Sequence, residues 1–234
     1  MTGRPERDLA GAHVAVLGAT GALGSRVVRE LSGAGALVTV VGRDRDRLTA
    51  LGAGGTVLTG DVSDARLGDE LVAVVDRDHD GRLDGLINAA GVVAFGTLVD
   101  TDDTVLEQLF LTNVVGPLFL LRRVIPALGR SHGFIAQISG LVAERPTAGM
   151  AAYSASKAAL AALDTALAVE LRRSGVDVID VRPPHTETGL ASRPLSGTAP
   201  RLPQGLDPDE VARRVVAAVR ARERVVPAEA FAQR

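Results

Sequence analysis

His13-Val14-Ala15-Val16-Leu17-Gly18-Ala19-Thr20-Gly21-Ala22-Leu23-Gly24 is the stretch that decides the fold. It opens on a short apolar run, turns through a glycine-rich segment, and is followed by a pattern that puts Val27, Val28 and Leu31 on one helical face. The reading is strand, tight turn, helix. Such a turn lets backbone N–H groups approach a pyrophosphate, while the helix N-terminus behind it favours negative charge. Flexible turns also use glycine, so the signal gains weight from its position between strand and helix.

Downstream, the same alternation repeats. Residues 36–41 read as a second buried strand ending at Gly42-Arg43-Asp44-Arg45. Where the second strand of a dinucleotide-binding fold ends, an acid would bond the ribose 2′-hydroxyl; here Gly42 and Arg43 stand instead, and Arg43 is either a solvated loop charge or a phosphate ligand. Val57-Leu58 is a short third strand closed by Asp61-Val62, where Asp61 either caps the next turn or bonds an adenine amino group. An amphipathic helix over 64–78 carries Leu67, Leu71, Val74 and Val75. A fourth strand over 83–87 runs into Asn88-Ala89-Ala90-Gly91, whose small side chains leave room at the carboxyl edge, where open α/β sheets bind ligands.

Thr104 with Glu107 has the form of a capping box, opening a helix that carries Leu109 and Asn113 and bends at Gly116-Pro117. A fifth strand over 134–138 ends at Ser139-Gly140, a long helix spans about 151–173, and a sixth strand over 176–181 enters Arg182-Pro183-Pro184-His185-Thr186-Glu187-Thr188. Residues 192–205 are dominated by Pro, Gly, Ser and Thr and read as a mobile loop. Asp207-Pro208-Asp209-Glu210 starts a last helix, and Val225-Val226 is a final short strand. The prediction is an α/β fold, a doubly wound parallel sheet in one domain over 12–234, with 1–11 as a flexible N-terminus.

Composition narrows the function. Cysteine is absent, which removes disulfides and thiolate chemistry, and the four histidines lack ligand spacing, so no metal site is expected. Net charge is −2 with acids and bases interspersed, which gives no basic stripe for nucleic acid or an anionic membrane. Hydrophobic residues make up 46% of the chain, yet no uninterrupted apolar run reaches the roughly 18 residues that cross a bilayer. The N-terminal residues lack a secretory pattern, so the expected location is cytoplasmic.

Chemistry concentrates in Tyr153-Ser154-Ala155-Ser156-Lys157, which holds the only tyrosine. Four residues are one helical turn, so phenol and ammonium project from one face and can act on one bound molecule. A free phenol, with a pKa near ~10, exchanges protons poorly at neutral pH; a fixed positive charge beside it favours phenolate. A surface Tyr and Lys on an ordinary helix is the competing reading.

Taken together these motifs resemble the short-chain dehydrogenase/reductase family in its compact one-domain form, across nearly the whole chain. The resemblance implies a seven-stranded parallel sheet, a nicotinamide cofactor, NADP or alternatively NAD, and hydride transfer between an alcohol and a carbonyl. It implies catalytic roles for Tyr153 as proton carrier, Lys157 as its tuning charge and ribose contact, and Asn113 as holder of a relay water. It implies cofactor contacts from Gly18, Thr20, Gly21, Leu23, Gly24, Arg43, Asp61, Val62, Asn88, Ala89, Ala90, Tyr153, Lys157, Pro183, Thr186 and Thr188. Self-association as a homodimer or homotetramer is also expected, the small residues Ala158, Ala159, Ala161 and Ala162 permitting close helix packing.

Three departures stand out. The compact pattern Thr-Gly-x-x-x-Gly-x-Gly meets Leu17, Gly18, Ala22 and Gly24 here, and the spacing of Gly18, Gly21 and Gly24 resembles the longer, epimerase-like branch. Pro183-Pro184 replaces Pro-Gly. The substrate-binding serine falls at Gly140, with Ser139 one residue earlier. Ser139 swung round by the glycine is the expected substitute; the alternatives are a substrate oxygen held by Tyr153 and water, or a Ser139 that bonds nearby backbone. An enzyme is the favoured reading, and a dinucleotide-binding sensor or scaffold is the alternative.

Overall fold

Strand β1 (His13–Leu17) is buried along its whole length, as a continuous apolar run must be when both faces of a sheet are covered. It is the third of seven parallel strands, in the order β3-β2-β1-β4-β5-β6-β7. The structure, a computed structural model describing residues 4–231, places these strands as β2 (Leu37–Gly42), β3 (Val57–Thr59), β4 (Gly85–Asn88), β5 (Phe134–Ile138), β6 (Asp177–Val181) and β7 (Val225–Val226). The chain winds in opposite directions from β1 to β2 and from β1 to β4, and this switch point opens a crevice at the carboxyl edge.

Helices cover both faces. Val14, Val16, Val40 and Ile179 face α1 (Ala22–Gly33) and α7 (Pro208–Ala221), which bury Val27, Leu31, Val211 and Val215. Ala15, Leu17, Leu86 and Ile135 face the other way, toward α3 (Leu67–Asp78), α5 (Gly116–Ser131) and α6 (Ala151–Glu170). The parity of each strand thus divides one sheet between two cores.

Several expectations are corrected. The helix predicted from residue 64 begins at Leu67, because the Asp64 carboxylate accepts from the Arg66 N–H (2.9 Å) and holds a turn there. A short helix α2 (Arg45–Thr49), not anticipated, is capped by Asp44, which accepts from the Arg47 N–H. The capping box does not form: α4 (Asp103–Phe110) starts after Asp102 with no side-chain cap. The bend expected at Gly116-Pro117 is a π-helical segment, Leu111–Val115, which joins α4 to α5. Residues 1–3 of the N-terminus expected to be flexible lie outside the described residues, and residues 4–11 are not detached from the fold: Leu9 is buried, and the Arg7 guanidinium donates to Asp177 (2.7 Å) and the Gly133 carbonyl (3.1 Å). Nor is the loop after β6 unanchored, since Leu195 N–H donates to Val93 O (2.8 Å) and Phe95 N–H to Ser196 O (2.9 Å).

Candidate functional site

The turn after β1 is shaped by atoms that are not there. Gly18 has φ +68°, and a Cβ on it would lie 2.9 Å from the Ala90 backbone. A Cβ on Gly24 would lie 2.2 Å from the Gly18 carbonyl oxygen, so the helix can pack down on the turn only with glycine there. Gly21 is the N-cap of α1; no side chain caps that end and no acid stands in its first turn. Ala22, where the compact pattern has glycine, is the first residue of the helix. Thr20 and Leu23 flank Gly21 and Ala22 in this turn. Across the crevice, Ala89 N–H donates to Leu17 O (3.1 Å) and Ala90 N–H to Asn88 Oδ1 (3.2 Å), fastening the segment after β4 against the turn. An uncapped helix end in a cradle this narrow fits a pyrophosphate.

At the end of β2, a Cβ on Gly42 would sit 3.6 Å from Thr20 Oγ1, so this position borders the turn. Arg43 is 79% exposed, with Asp61 Oδ2 at 3.9 Å. Asp61 Oδ1 accepts from the Ser63 N–H (2.9 Å) and hydroxyl (2.7 Å), which is the turn-capping alternative. Val62 presents its carbonyl to the start of α5, where a Cβ on Gly116 would come within 2.2 Å. Arg47 donates to Thr20 O (2.8 Å), bringing a second guanidinium to the turn. Only the unanticipated helix α2 puts it there.

The opposite half of the edge is polar and buried. Asn113 lies in the π-helical segment, a distortion common at functional sites. Its Oδ1 accepts from Val92 N–H (2.9 Å) and its Nδ2 donates to Val92 O (2.9 Å) and Ser156 Oγ (3.0 Å). Ser156 in turn donates to Tyr153 O (2.8 Å), so Asn113 is tied to the first turn of α6. A Cβ on Gly91 would meet both Asn113 Oδ1 and Lys157 Nζ at 3.4 Å, so the three positions converge.

Lys157, the only lysine in the chain, is buried and donates to the Ile138 carbonyl (2.8 Å). Burial pulls its pKa down to about 8, against the opposing pull of Asp180 and Asp164. The half-buried Tyr153 moves the other way: burial pushes its phenol up to about 12. The drop expected from Lys157 is not found; withdrawal from water is what moves the phenol.

Ser139 is not turned toward a substrate. It is fully buried, and its hydroxyl donates to Asp180 Oδ1, with the Val181 carbonyl at 3.4 Å. Gly140 does take the left-handed conformation, φ +84°, and a Cβ there would have only Pro183 O nearby, at 3.8 Å. The glycine leaves space, but the strand's parity keeps Ser139 on the α6 face with Gln137. Beyond β6, Thr186 donates to the Pro184 carbonyl (2.9 Å), Thr188 N–H to Thr186 O (2.7 Å), and Glu187 N–H to Leu206 O (3.0 Å). The Pro183–Thr188 segment is thereby pinned to the approach to α7.

Beneath Lys157 runs a row of which the sequence reading named only Asn88, as a cofactor contact. Asn88, Gln137 and Asp180 are in register on β4, β5 and β6. Asn88 Nδ2 donates to Gln137 Oε1 (3.1 Å), and Gln137 Nε2 to Asp164 Oδ1 (2.6 Å) on α6. Asp164 Oδ2 is buried without a partner among the described residues, and burial pushes that carboxyl up to about 8. The signal was available: Gln137 and Asp180 interrupt apolar strands, and Asp164 interrupts a leucine stripe.

Known proteins share this architecture. A family model described as short chain dehydrogenase matches residues 12–196. An uncharacterized oxidoreductase of Staphylococcus saprophyticus is 28% identical, aligned over 87% of this chain and 89% of its own. One from Staphylococcus epidermidis is 31% identical over 75% of this chain and 78% of its own. A short chain dehydrogenase of Burkholderia cenocepacia, solved in complex with NADP, superposes with a TM-score of 0.83 over 95% of this chain and 90% of its own; at 24% identity it speaks for the fold.

Proposed function

Because the chain belongs to the short-chain dehydrogenase family, we propose that it is an NADP(H)-preferring oxidoreductase interconverting a small-molecule alcohol and its carbonyl counterpart. The observation that carries this reading is the convergence of Asn113, Gly91 and Lys157 at the carboxyl edge that also holds the glycine cradle. Bound there, the dinucleotide supplies or accepts the hydride. Tyr153, protonated across the neutral range, gives its proton to a carbonyl oxygen in the reductive direction. Lys157 holds positive charge beside the developing anion, and Asn113 fixes the Val92 backbone and the first turn of α6 against each other. NADP(H) preference rests on Arg43 and Arg47 flanking Gly42 and Thr20, where a 2′-phosphate would find charge-assisted hydrogen bonds.

Pairing of two copies through α4–α5 and α6 accounts for an otherwise odd surface. The continuous helix Asp103–Ser131 is, by length and composition alone, apolar enough to cross a membrane, and only 33% of its most apolar window is buried. Leu111, Leu118 and, on α6, Val169 are exposed on this region. A second reading, a dinucleotide sensor with little turnover, draws on Ser139 being committed to Asp180 and on the glycine at 140. Titration with NADPH and NADH, followed by a carbonyl screen read as loss of NADPH absorbance, separates the two. NADPH-dependent turnover supports the enzyme; tight binding with no turnover on any carbonyl class supports the sensor.

A further inference from the structure

Lys157 poses a charge problem that its own contacts do not solve. An ammonium 5% exposed is costly without a counter-charge, yet its hydrogen bond among the described residues goes to a neutral carbonyl, Ile138 O. Two buried carboxyls lie on the elements around it. Asp164, two turns further along α6, has one oxygen on Gln137 and the other without a partner among the described residues, an arrangement that suits a protonated, neutral acid. Asp180, 3% exposed on β6, is held differently: Ser139 donates to Oδ1 and Arg182 to Oδ2 (2.6 Å). Two donors, one of them a guanidinium, fix this carboxylate in place. Arg182 has a second partner in Glu144, nearer the surface, so a simple surface ion pair does not require a carboxylate buried beneath it.

We propose that Asp180 is a positioning residue for Lys157: a buried counter-charge, oriented by Ser139 and Arg182, that keeps the ammonium charged beside Tyr153. Ser139, one residue short of the place where a substrate-binding hydroxyl was expected, serves the reaction from behind by holding this carboxylate. The titratable and charged groups around Lys157 are Tyr153 and Asp164 on α6, Asp180 on β6, Arg182 just after it, and Glu144 in the loop after β5. Asp180 and Asp164 pull its pKa upward, and Asp180 is the stronger.

This inference rests on the site proposed above, but its test needs neither substrate nor dinucleotide. As Lys157 is the only lysine, isotope labelling of lysine alone gives one side-chain NMR signal whose pH titration reports that ammonium. In Asp180→Asn the midpoint falls, by about one pH unit for the loss of one nearby opposite charge. In Arg182→Gln it rises, because the carboxylate is no longer shared and a like charge is gone. A folded Asp180→Asn with an unmoved or raised midpoint overturns the proposal. Should Asp180→Asn not fold, an unmoved or lowered midpoint in Arg182→Gln overturns it equally. A shifted midpoint in a protein that turns over no carbonyl would sink the enzymatic reading while leaving this one standing.

Discussion

At the adenosine end of the carboxyl edge the site is shaped by the absence of side chains, whereas at the Tyr153 end it is shaped by polar side chains withdrawn from water. The first half is a backbone device: Gly18 and Gly24 permit contacts that a Cβ would forbid, and the cations nearby are exposed. The second half is an electrostatic device, with Lys157, Asn113, Asp164 and Asp180 all at or below 5% exposure. Steric fit is robust to pH and salt but intolerant of a methyl group. Buried charge is the reverse, tolerant of isosteres and sensitive to protonation.

This contrast breaks first at Gly24. Its Cβ would stand 2.2 Å from a carbonyl oxygen that cannot move without unfolding the turn, so Gly24→Ala costs about 2 to 3 kcal/mol of stability, near the upper end for overpacking, and weakens dinucleotide binding. Thermal unfolding and NADPH titration check it; an unchanged Tm would mean that the turn is compliant.

The polar half is sharpened by Asp164→Asn. A carboxyl raised from 3.8 to about 8 contributes stability that is fully present below pH 3.8 and is lost as pH rises through about 8. Over this window the folded state binds more protons than the unfolded one, so stability falls with pH. Asparagine keeps the acceptor for Gln137 and cannot ionise. The variant should therefore unfold at a higher temperature than the parent at about pH 8, by roughly 3 to 6 °C, with a smaller gap at about pH 5. Equal gaps at both pH values would mean that Asp164 is already ionised near neutrality.

The smallest expected effect lies at the exposed cations. Arg43→Ala should weaken NADPH binding by roughly tenfold, the equivalent of one charge-assisted hydrogen bond, and leave NADH unchanged. Loss of both affinities together would place Arg43 against the shared part of the two dinucleotides.

The same contrast explains what could be read from the chain. The glycine turn, the strand and helix alternation and the Tyr153-Lys157 spacing are local patterns that carry through to structure, whereas the Thr104-Glu107 capping box does not. Helix α2 was missed because five residues bear no periodicity, and Arg47 went with it. Ser139 was misplaced because a glycine at the strand end suggested a rotation; the parity of β5 and the Asp180 carboxylate prevailed. The Gln137, Asp164 and Asp180 cluster joins three elements far apart in sequence. Each residue looked like an isolated polar interruption until the sheet register brought them together.

The central claim is that Tyr153 carries the proton of a dinucleotide-dependent carbonyl reduction, and Tyr153→Phe tests it most directly. The substitution removes one hydroxyl and little packing, so NADPH affinity should stay near the parental value. On a carbonyl substrate that the parent reduces, turnover should fall by at least about 100-fold, the lower end for loss of a positioned general acid. Near-parental turnover in a variant shown to bind NADPH would contradict the account.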